Sequence, residues 1–124
     1  MKTKTIEWWN ALQKNEDTNV IAAPGDCVVL IDGIAFLIQR KNNWNNVVCW
    51  KVKTTKKDLV TIFNNFRAWC AKKKIQYIRV EGVGKHHYKI LYLVLRRSPE
   101  TSGIVYNPTE SAEYGRSIWY VKTY

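Results

Sequence analysis

The stretch "GKHHYKILYLVLRR", residues 84–97, sets two histidines and two tyrosines beside an apolar run. Imidazoles bind metal ions and side chains such as tyrosine transfer protons, so the stretch raises the question of a metal site or a catalytic acid. On a helix, the adjacent His86 and His87 would point about 100° apart and could not chelate one ion. We therefore expect no metal site here.

The cysteines do not indicate a metal site or a disulfide framework either. Cys27, Cys49 and Cys70 are an odd number at wide spacing, and none belongs to a C-x-x-C pair. We expect three free thiols in a reducing compartment. Cys70 should lie buried beside Phe66 and Trp69, because helical spacing places it on the apolar side and a buried cysteine behaves as a small hydrophobe.

Positive charge is concentrated in one segment of a chain whose formal net charge is +10. Residues 51–97 contain 13 Lys or Arg against two acids, Asp58 and Glu81, whereas the remainder has seven basic and eight acidic residues. Such asymmetry indicates an anionic partner: nucleic acid, a phosphorylated ligand or an acidic protein face. The alternative is a solvated surface that keeps an aromatic-rich protein in solution.

Size and composition predict one domain over residues 1–124. With 124 residues and 46% apolar content, the chain can bury a core without disulfide or metal support. No apolar run approaches the roughly 20 residues of a membrane span, and the N-terminus lacks the apolar core of a signal peptide. We expect a cytoplasmic protein that is neither secreted nor inserted in a membrane.

The elements that must position these residues follow from apolar periodicity. "TIEWWNALQKNED" predicts a short amphipathic helix. "CVVLIDGIAFLIQR" predicts a hairpin around Asp32-Gly33, where both turn residues must tolerate positive φ. A strand at 47–53, a long helix near 56–73 and a strand at 75–81 come next.

The second half of the chain predicts one more helix and two more strands. Residues 84–96 favour a helix, with a strand as the alternative because the run is short and β-rich. "TSGIVYN" and "SIWYVKTY" predict strands joined by a polar connection. Strand, helix and strand in succession imply a parallel pair with a right-handed crossover. We therefore expect an α/β (α+β mixed) fold, with a mixed sheet of about six strands and helices on both faces.

This order of elements resembles the GNAT family of N-acetyltransferases over nearly the whole chain. That fold has a helical amino-terminal part, a β-hairpin, a central strand, a long helix at the acetyl-coenzyme A pyrophosphate, a further strand, a second helix and a closing strand pair. Many members carry N-x-x-A-x-x-L-Y after the fifth strand. In residues 85–92, Leu91 and Tyr92 are in register, whereas Lys85 replaces the Asn and Tyr88 the Ala.

The resemblance implies two candidate catalytic residues, should the chain be an active acetyltransferase. Tyr92 takes the place of the general acid that protonates the coenzyme A thiolate in active members. The alternative is that Tyr92 packs against the sheet, as a tyrosine on an apolar helix usually does. Glu81 is the one candidate for the catalytic base, and its alternative role is an ion pair with a neighbouring lysine.

The chain departs from the family at the cofactor loop. Acetyl-CoA-binding members carry Q/R-x-x-G-x-G/A before the long helix, because glycines let backbone amides approach the pyrophosphate. The matching stretch, "KVKTTKKDL", has no glycine. The residues that would have to hold the cofactor are Lys53, Thr54, Thr55, Lys56 and Lys57. We therefore expect acetyl-CoA to bind weakly or not at all, and no other cofactor.

Three hypotheses of function follow, in order of preference. The first is a GNAT-like protein that has lost acetyl-CoA catalysis and binds an anionic partner or other protein subunits. It resembles the small basic GNAT-like proteins of tailed bacteriophages, some of them virion or host-takeover proteins, so the virion or the host cytoplasm is the expected location. The second is an active N-acetyltransferase with an atypical pyrophosphate loop. The third is nucleic-acid binding, with Trp44 and Trp50 stacking on bases.

Overall fold

The computed structural model describes residues 1–14, 20–40, 45–53, 59–82, 104–115 and 117–124. They form one mixed sheet of seven strands with helices on both faces. The strands are β1 (Lys2–Lys4), β2 (Cys27–Ile31), β3 (Ile34–Arg40), β4 (Asn45–Lys51), β5 (Tyr77–Gly82), β6 (Ile104–Tyr106) and β7 (Ser117–Lys122). The helices are α1 (Ile6–Gln13), α2 (Leu59–Lys72) and α3 (Pro108–Tyr114).

The strand order across the sheet is β1-β2-β3-β4-β5-β7-β6. Strands β4 and β5 are parallel, and every other pair of described neighbours is antiparallel. The predicted parallel pair flanking the long helix is therefore confirmed. The described strands number seven where about six were expected, because the short edge strand β1 was not predicted. The predicted helix at 84–96 lies outside the described residues.

Helix α2 packs on one face of the sheet. Phe66 is fully buried, and its ring stacks on Phe36 of β3 with the ring centroids 4.1 Å apart. Cys70, one turn further along, is also fully buried in this cluster, and Trp69 packs against it, as predicted. Five strands, β2, β3, β4, β5 and β7, contribute alternate residues to the cluster: Val29, Ile31, Ile34, Phe36, Ile38, Val47, Cys49, Ile78, Val80, Trp119 and Val121.

Helix α1 packs on the opposite face. It begins where the Thr5 hydroxyl accepts a hydrogen bond from the Trp8 amide (3.1 Å), which satisfies one of the free donors of the first turn. Trp9 is fully buried, and its indole N–H donates to the Val20 carbonyl at 3.0 Å. Trp50 of β4 belongs to the same cluster. The second core therefore lies beneath α1.

The hairpin turn at Asp32-Gly33 is confirmed, but Gly33 is needed for another reason than the one expected. Ile31 pairs with Ile34, so the loop has two residues, and positive φ occurs at Asp32 (55°) and not at Gly33. A Cβ on Gly33 would lie 2.3 Å from the Lys53 carbonyl oxygen. The glycine therefore lets the turn approach the backbone that leaves β4.

Helix α3 occupies the segment that was expected to be a polar connection. The Asn107 side chain accepts from the Glu110 amide (3.0 Å), Pro108 opens the first turn, and Gly115 ends the helix in the left-handed conformation (φ 63°). A cap, an early proline and a final glycine are helix boundary signals. The prediction missed them because the helix has only seven residues and one buried residue, Ser111.

Candidate functional site

A row of polar side chains crosses four strands on the face that carries α1 and α3. Gln39, Asn46, Arg79 and Tyr120 lie directly opposite one another from β3 to β7, and we call them the polar row. The Asn46 amide donates to Gln39 at 3.0 Å and accepts from Arg79 at 2.8 Å. Residues paired in register share a face of the sheet, so the four side chains adjoin.

Arg79 is the centre of this network. The residue is only 5% exposed, and its guanidinium also binds Glu81 and Glu110. Two of its nitrogens donate to one Glu110 oxygen, at 3.1 and 2.9 Å. Burial alone would lower the pKa of Arg79, but the hydrogen bonds and negative charge of Glu81 and Glu110 outweigh it and raise the pKa. The positive charge of Arg79 is thus balanced by the carboxylates of Glu81 and Glu110.

Glu110 links helix α3 to the polar row. Its second oxygen accepts a hydrogen bond from the Tyr120 hydroxyl at 2.5 Å and another from the Asn107 amide group at 3.1 Å. The bond from Tyr120, together with the charge of Arg79, lowers the pKa of Glu110 against the opposing effect of burial. Burial and the acceptor Glu110 raise the pKa of Tyr120. The carboxylate is thereby held ionised and the phenol protonated.

Glu81, the candidate base, belongs to this network. It lies near the end of β5, is 7% exposed and forms an ion pair with Arg79, two residues earlier on the same face of the strand. The alternative role for Glu81, an ion pair, is therefore observed, but its partner is an arginine and not a lysine. A carboxylate oxygen that accepts from a guanidinium is not directed at a substrate proton.

Of the candidate cofactor residues, the structure describes Lys53. Its side chain is exposed, two residues beyond the end of β4. Because β4 and β5 are parallel, Lys53 and Glu81 both lie towards the C-terminal ends of these two neighbouring strands. Thr54, Thr55, Lys56, Lys57 and the candidate acid Tyr92 lie outside the described residues.

The backbone that leads into residues 54–58, the stretch matched to the family's cofactor loop, is already hydrogen-bonded. The Val52 and Lys53 amides both donate to the Gly33 carbonyl, at 2.8 and 3.3 Å. A backbone amide that donates to the protein cannot at the same time donate to a phosphate oxygen. These two amides therefore do not form a pyrophosphate cradle.

Trp50 was expected to stack on bases, but this prediction is wrong because the side chain is buried. The side chain is 8% exposed and packs in the cluster beneath α1. Its position follows from strand alternation, because Val48 and Trp50 point to the α1 face while Val47 and Cys49 point to the α2 face. Trp44, the other predicted stacking residue, lies outside the described residues.

The three cysteines are free thiols, as expected. Cys27 is exposed, whereas Cys49 and Cys70 are buried. Burial raises the pKa of Cys70 to about 12, and burial together with the nearby Cys70 raises that of Cys49 still further. Within the described ranges, no group of three or more His, Cys, Asp or Glu residues could hold a metal ion, and no helix is long and apolar enough to span a bilayer.

A cleft of about 350 Å³ lies beside α2, away from the polar row. Its walls are formed by the hairpin turn, the first residue and one stripe of α2: Met1, Ile31, Asp32, Asn65, Ala68, Trp69 and Lys72. The ammonium of Lys73 lies 6.0 Å from the centroid of the Trp69 ring. The cleft thus combines an aromatic wall with a lysine, and a second lysine lies beside that wall.

The residues at the centre of the network, Arg79 and Glu110, were not predicted as site residues. Strand alternation correctly places Arg79 on the other face of β5 from Ile78 and Val80. Its partner Glu110 on α3, however, lies 31 positions away, and their contact depends on the register of the sheet. The capping pattern at Asn107 and Glu110 was the available signal for α3.

No protein-family model, curated protein or solved structure matches the chain.

Proposed function

We propose that the chain is a GNAT-like domain that has lost acetyl-CoA catalysis and acts by binding an anionic partner. The observation that carries the proposal is the buried ion pair between Glu81 and Arg79. Catalysis of acetyl transfer would require a base that takes a proton from the acceptor amine. The one candidate base is instead held in a buried ion pair with Arg79.

The arrangement of elements supports the GNAT-like part of the proposal. A hairpin precedes a central strand, and the long helix α2 connects this strand to a parallel neighbour. A closing pair of antiparallel strands, β6 and β7, follows. The order from the hairpin to β5 agrees with the one that the resemblance implies, whereas the second helix of that order falls outside the described residues, and β1 and the helix α3 between β6 and β7 are additions to it.

The backbone at the end of β4 supports the loss of acetyl-CoA binding. The Val52 and Lys53 amides are used by Gly33, and the sequence between Lys53 and Leu59 contains no glycine. Side chains there would keep the pyrophosphate away from the backbone. What remains is the attraction of lysine side chains, which acts at a distance and is screened by salt.

Charge supports an anionic partner. The net charge of +10 is concentrated in residues 51–97, and Lys72, Lys73 and Lys74 are exposed at the end of α2. A field of one sign steers an oppositely charged partner and raises its rate of association. The resemblance to phage-encoded members suggests the virion or the host cytoplasm as the place where this binding operates.

The test is a calorimetric titration of coenzyme A at low and at physiological salt, with acetyl transfer measured in parallel. We expect weak binding that disappears as the Debye length falls to about 8 Å at physiological salt, and no turnover. Tight binding at both salts would contradict the proposal if acetyl transfer were also lost in Tyr92→Phe. Tyr88→Phe, the same substitution four residues earlier, is the matched control, and it should retain any activity.

A further inference from the structure

The cleft beside α2 is built from one stripe of the helix and from the hairpin turn. Asn65, Ala68, Trp69 and Lys72 are three or four positions apart, so they share one side of α2. Ile31 and Asp32 form the opposite wall. Apolar groups, the amide of Asn65, the carboxylate of Asp32 and the ammonium of Lys72 therefore meet in a single depression of about 350 Å³.

We propose that this cleft binds single-stranded nucleic acid, with a base against Trp69 and the phosphates along Lys72, Lys73 and Lys74. The inference rests on the proposed function, because it names the class of the anionic partner. It assigns the stacking to Trp69 and not to Trp50, which is buried.

The aromatic wall fits a base. Trp69 is half-buried against the core, with its ring 6.1 Å from that of Phe66 and nearly parallel to it (18°). Packing on one side holds the indole in place, so little conformational freedom is lost when a base stacks on its accessible part. Stacking accepts every base, because each has a π-face.

The charges around the cleft fit a sugar-phosphate backbone. Lys72 lines the cleft, and the exposed Lys73 and Lys74 extend the positive charge past the end of α2. Aromatic side chains interleaved with cations are the usual combination in proteins that bind single strands. Asn65 supplies hydrogen-bonding groups for the edge of a base.

The size of the cleft favours a single strand over a duplex. A space of about 350 Å³ has the dimensions of a site for one small molecule, so it admits one unstacked nucleotide. The bases of a duplex are already stacked and paired, and only its phosphates would reach the lysines. We therefore expect a short oligothymidylate to bind more tightly than a duplex of the same length.

The experiment measures fluorescence anisotropy of labelled oligothymidylate and labelled duplex, at low and physiological salt. Trp69→Ala should weaken oligothymidylate binding by about 5- to 150-fold. Ala68→Glu tests the same wall at an exposed helix position, where folding is not at risk. Its matched control is Ala112→Glu, which makes the same substitution at an exposed position of α3, outside the cleft.

The lysines have their own matched pair of variants. Lys72→Ala/Lys73→Ala should reduce the slope of log K against log salt by about 1.4, because two phosphate contacts are lost from a single strand. Lys14→Ala/Arg40→Ala removes two exposed charges that do not line the cleft, one just after α1 and one at the end of β3 away from the hairpin turn, and should leave the slope unchanged. Equal effects of the two double variants would overturn the assignment of the cleft.

Other outcomes separate this inference from the proposed function. Equal weakening by Ala68→Glu and Ala112→Glu, or tighter binding of the duplex, would also overturn the nucleic-acid inference. If no oligonucleotide bound while coenzyme A showed weak, salt-erased binding without turnover, the nucleic-acid inference would fail and the proposed function would stand. Tight coenzyme A binding with turnover would instead contradict the proposed function.

Discussion

Asn46 on β4 and Arg79 on β5 lie opposite each other in the parallel pair, and their side chains are joined by a hydrogen bond of 2.8 Å. A shift of this pairing by one residue would turn Arg79 towards the apolar face that α2 covers. There the guanidinium would be buried without its carboxylate partners. The polar row therefore helps to fix the register of the parallel pair.

Arg79→Met should destabilise the fold strongly. The substitution leaves the buried Glu81 without its cation, and breaking one side of a buried ion pair typically costs about 3 to 5 kcal/mol. The free energy of unfolding, measured with urea, gives the effect. Arg40→Met, at an exposed position, is the matched control and should change stability by less than about 0.5 kcal/mol.

A second substitution distinguishes charge from packing in this prediction. Glu81→Gln on the Arg79→Met background removes the stranded negative charge and should recover part of the lost stability. If the double variant were no more stable than Arg79→Met, the loss would come from packing alone, and the compensating role given to Arg79 would be wrong.

Acid should weaken the fold partly through Glu110. Its pKa in the folded protein is lowered from the ordinary 4.5, so its contribution to stability is complete above 4.5 and is lost as the pH falls through the folded-state value. In Glu110→Gln this part of the acid dependence should be absent. Urea unfolding over the same acid range measures it, and superimposable pH profiles would contradict the assignment.

Alkaline pH should weaken the fold through Tyr120, whose hydroxyl donates to Glu110. The pKa of Tyr120 is raised above the ordinary 10.0, so the folded state binds the phenolic proton more tightly than the unfolded state. Stability should fall as the pH rises through 10 towards the folded-state value. Tyr120→Phe should flatten this alkaline loss, whereas the exposed Tyr124→Phe, the control, should not.

Gly33→Ala should destabilise the end of β4. A Cβ would meet the Lys53 carbonyl at 2.3 Å, and because the obstacle is backbone, the turn or the strand end must move. We expect a loss of about 1 to 3 kcal/mol, typical of overpacking. Gly25→Ala is the comparison, since it has positive φ but open space, and its loss of about 1 kcal/mol would come from backbone strain.

Thiol labelling should detect one cysteine in the native protein and three after denaturation. Cys27 is exposed, whereas burial protects Cys49 and Cys70 and raises their pKa values, which suppresses the reactive thiolate. Cys27→Ser should abolish rapid labelling. A second fast thiol in that variant would mean that the core around α2 opens more readily than its packing implies.

Local patterns were enough to predict much of the fold. The stripe from Ile62 to Cys70 predicts α2, and the Asp32-Gly33 pair between apolar runs predicts the hairpin, because both signals lie within a few residues. Helix α3 was missed since its stability depends on contacts with β5 and β7 more than on its own apolar side. The edge strand β1 has three residues and no apolar alternation to detect.

The candidate site was less accessible to sequence reasoning. Glu81 could be named as a candidate base because the resemblance implies a Glu or His on the central strands and Glu81 is the one candidate there, but the partner of Glu81 could not be named. Arg79 meets Glu110 only after β5, β7 and α3 are brought together, so neither charge type nor spacing reveals the network. Trp69 was assigned to the apolar stripe alone, because its place in a cleft depends on the hairpin turn opposite.

The last strand, β7, enters the sheet between two strands that are made before it, β5 and β6. Until β7 is synthesised, β5 has an unpaired edge and β6 has no neighbour among the described strands. An open edge of apolar residues such as Ile78 and Val80 is a template for pairing with another chain. A nascent or truncated chain that lacks β7 should therefore be the form of this protein most prone to aggregate.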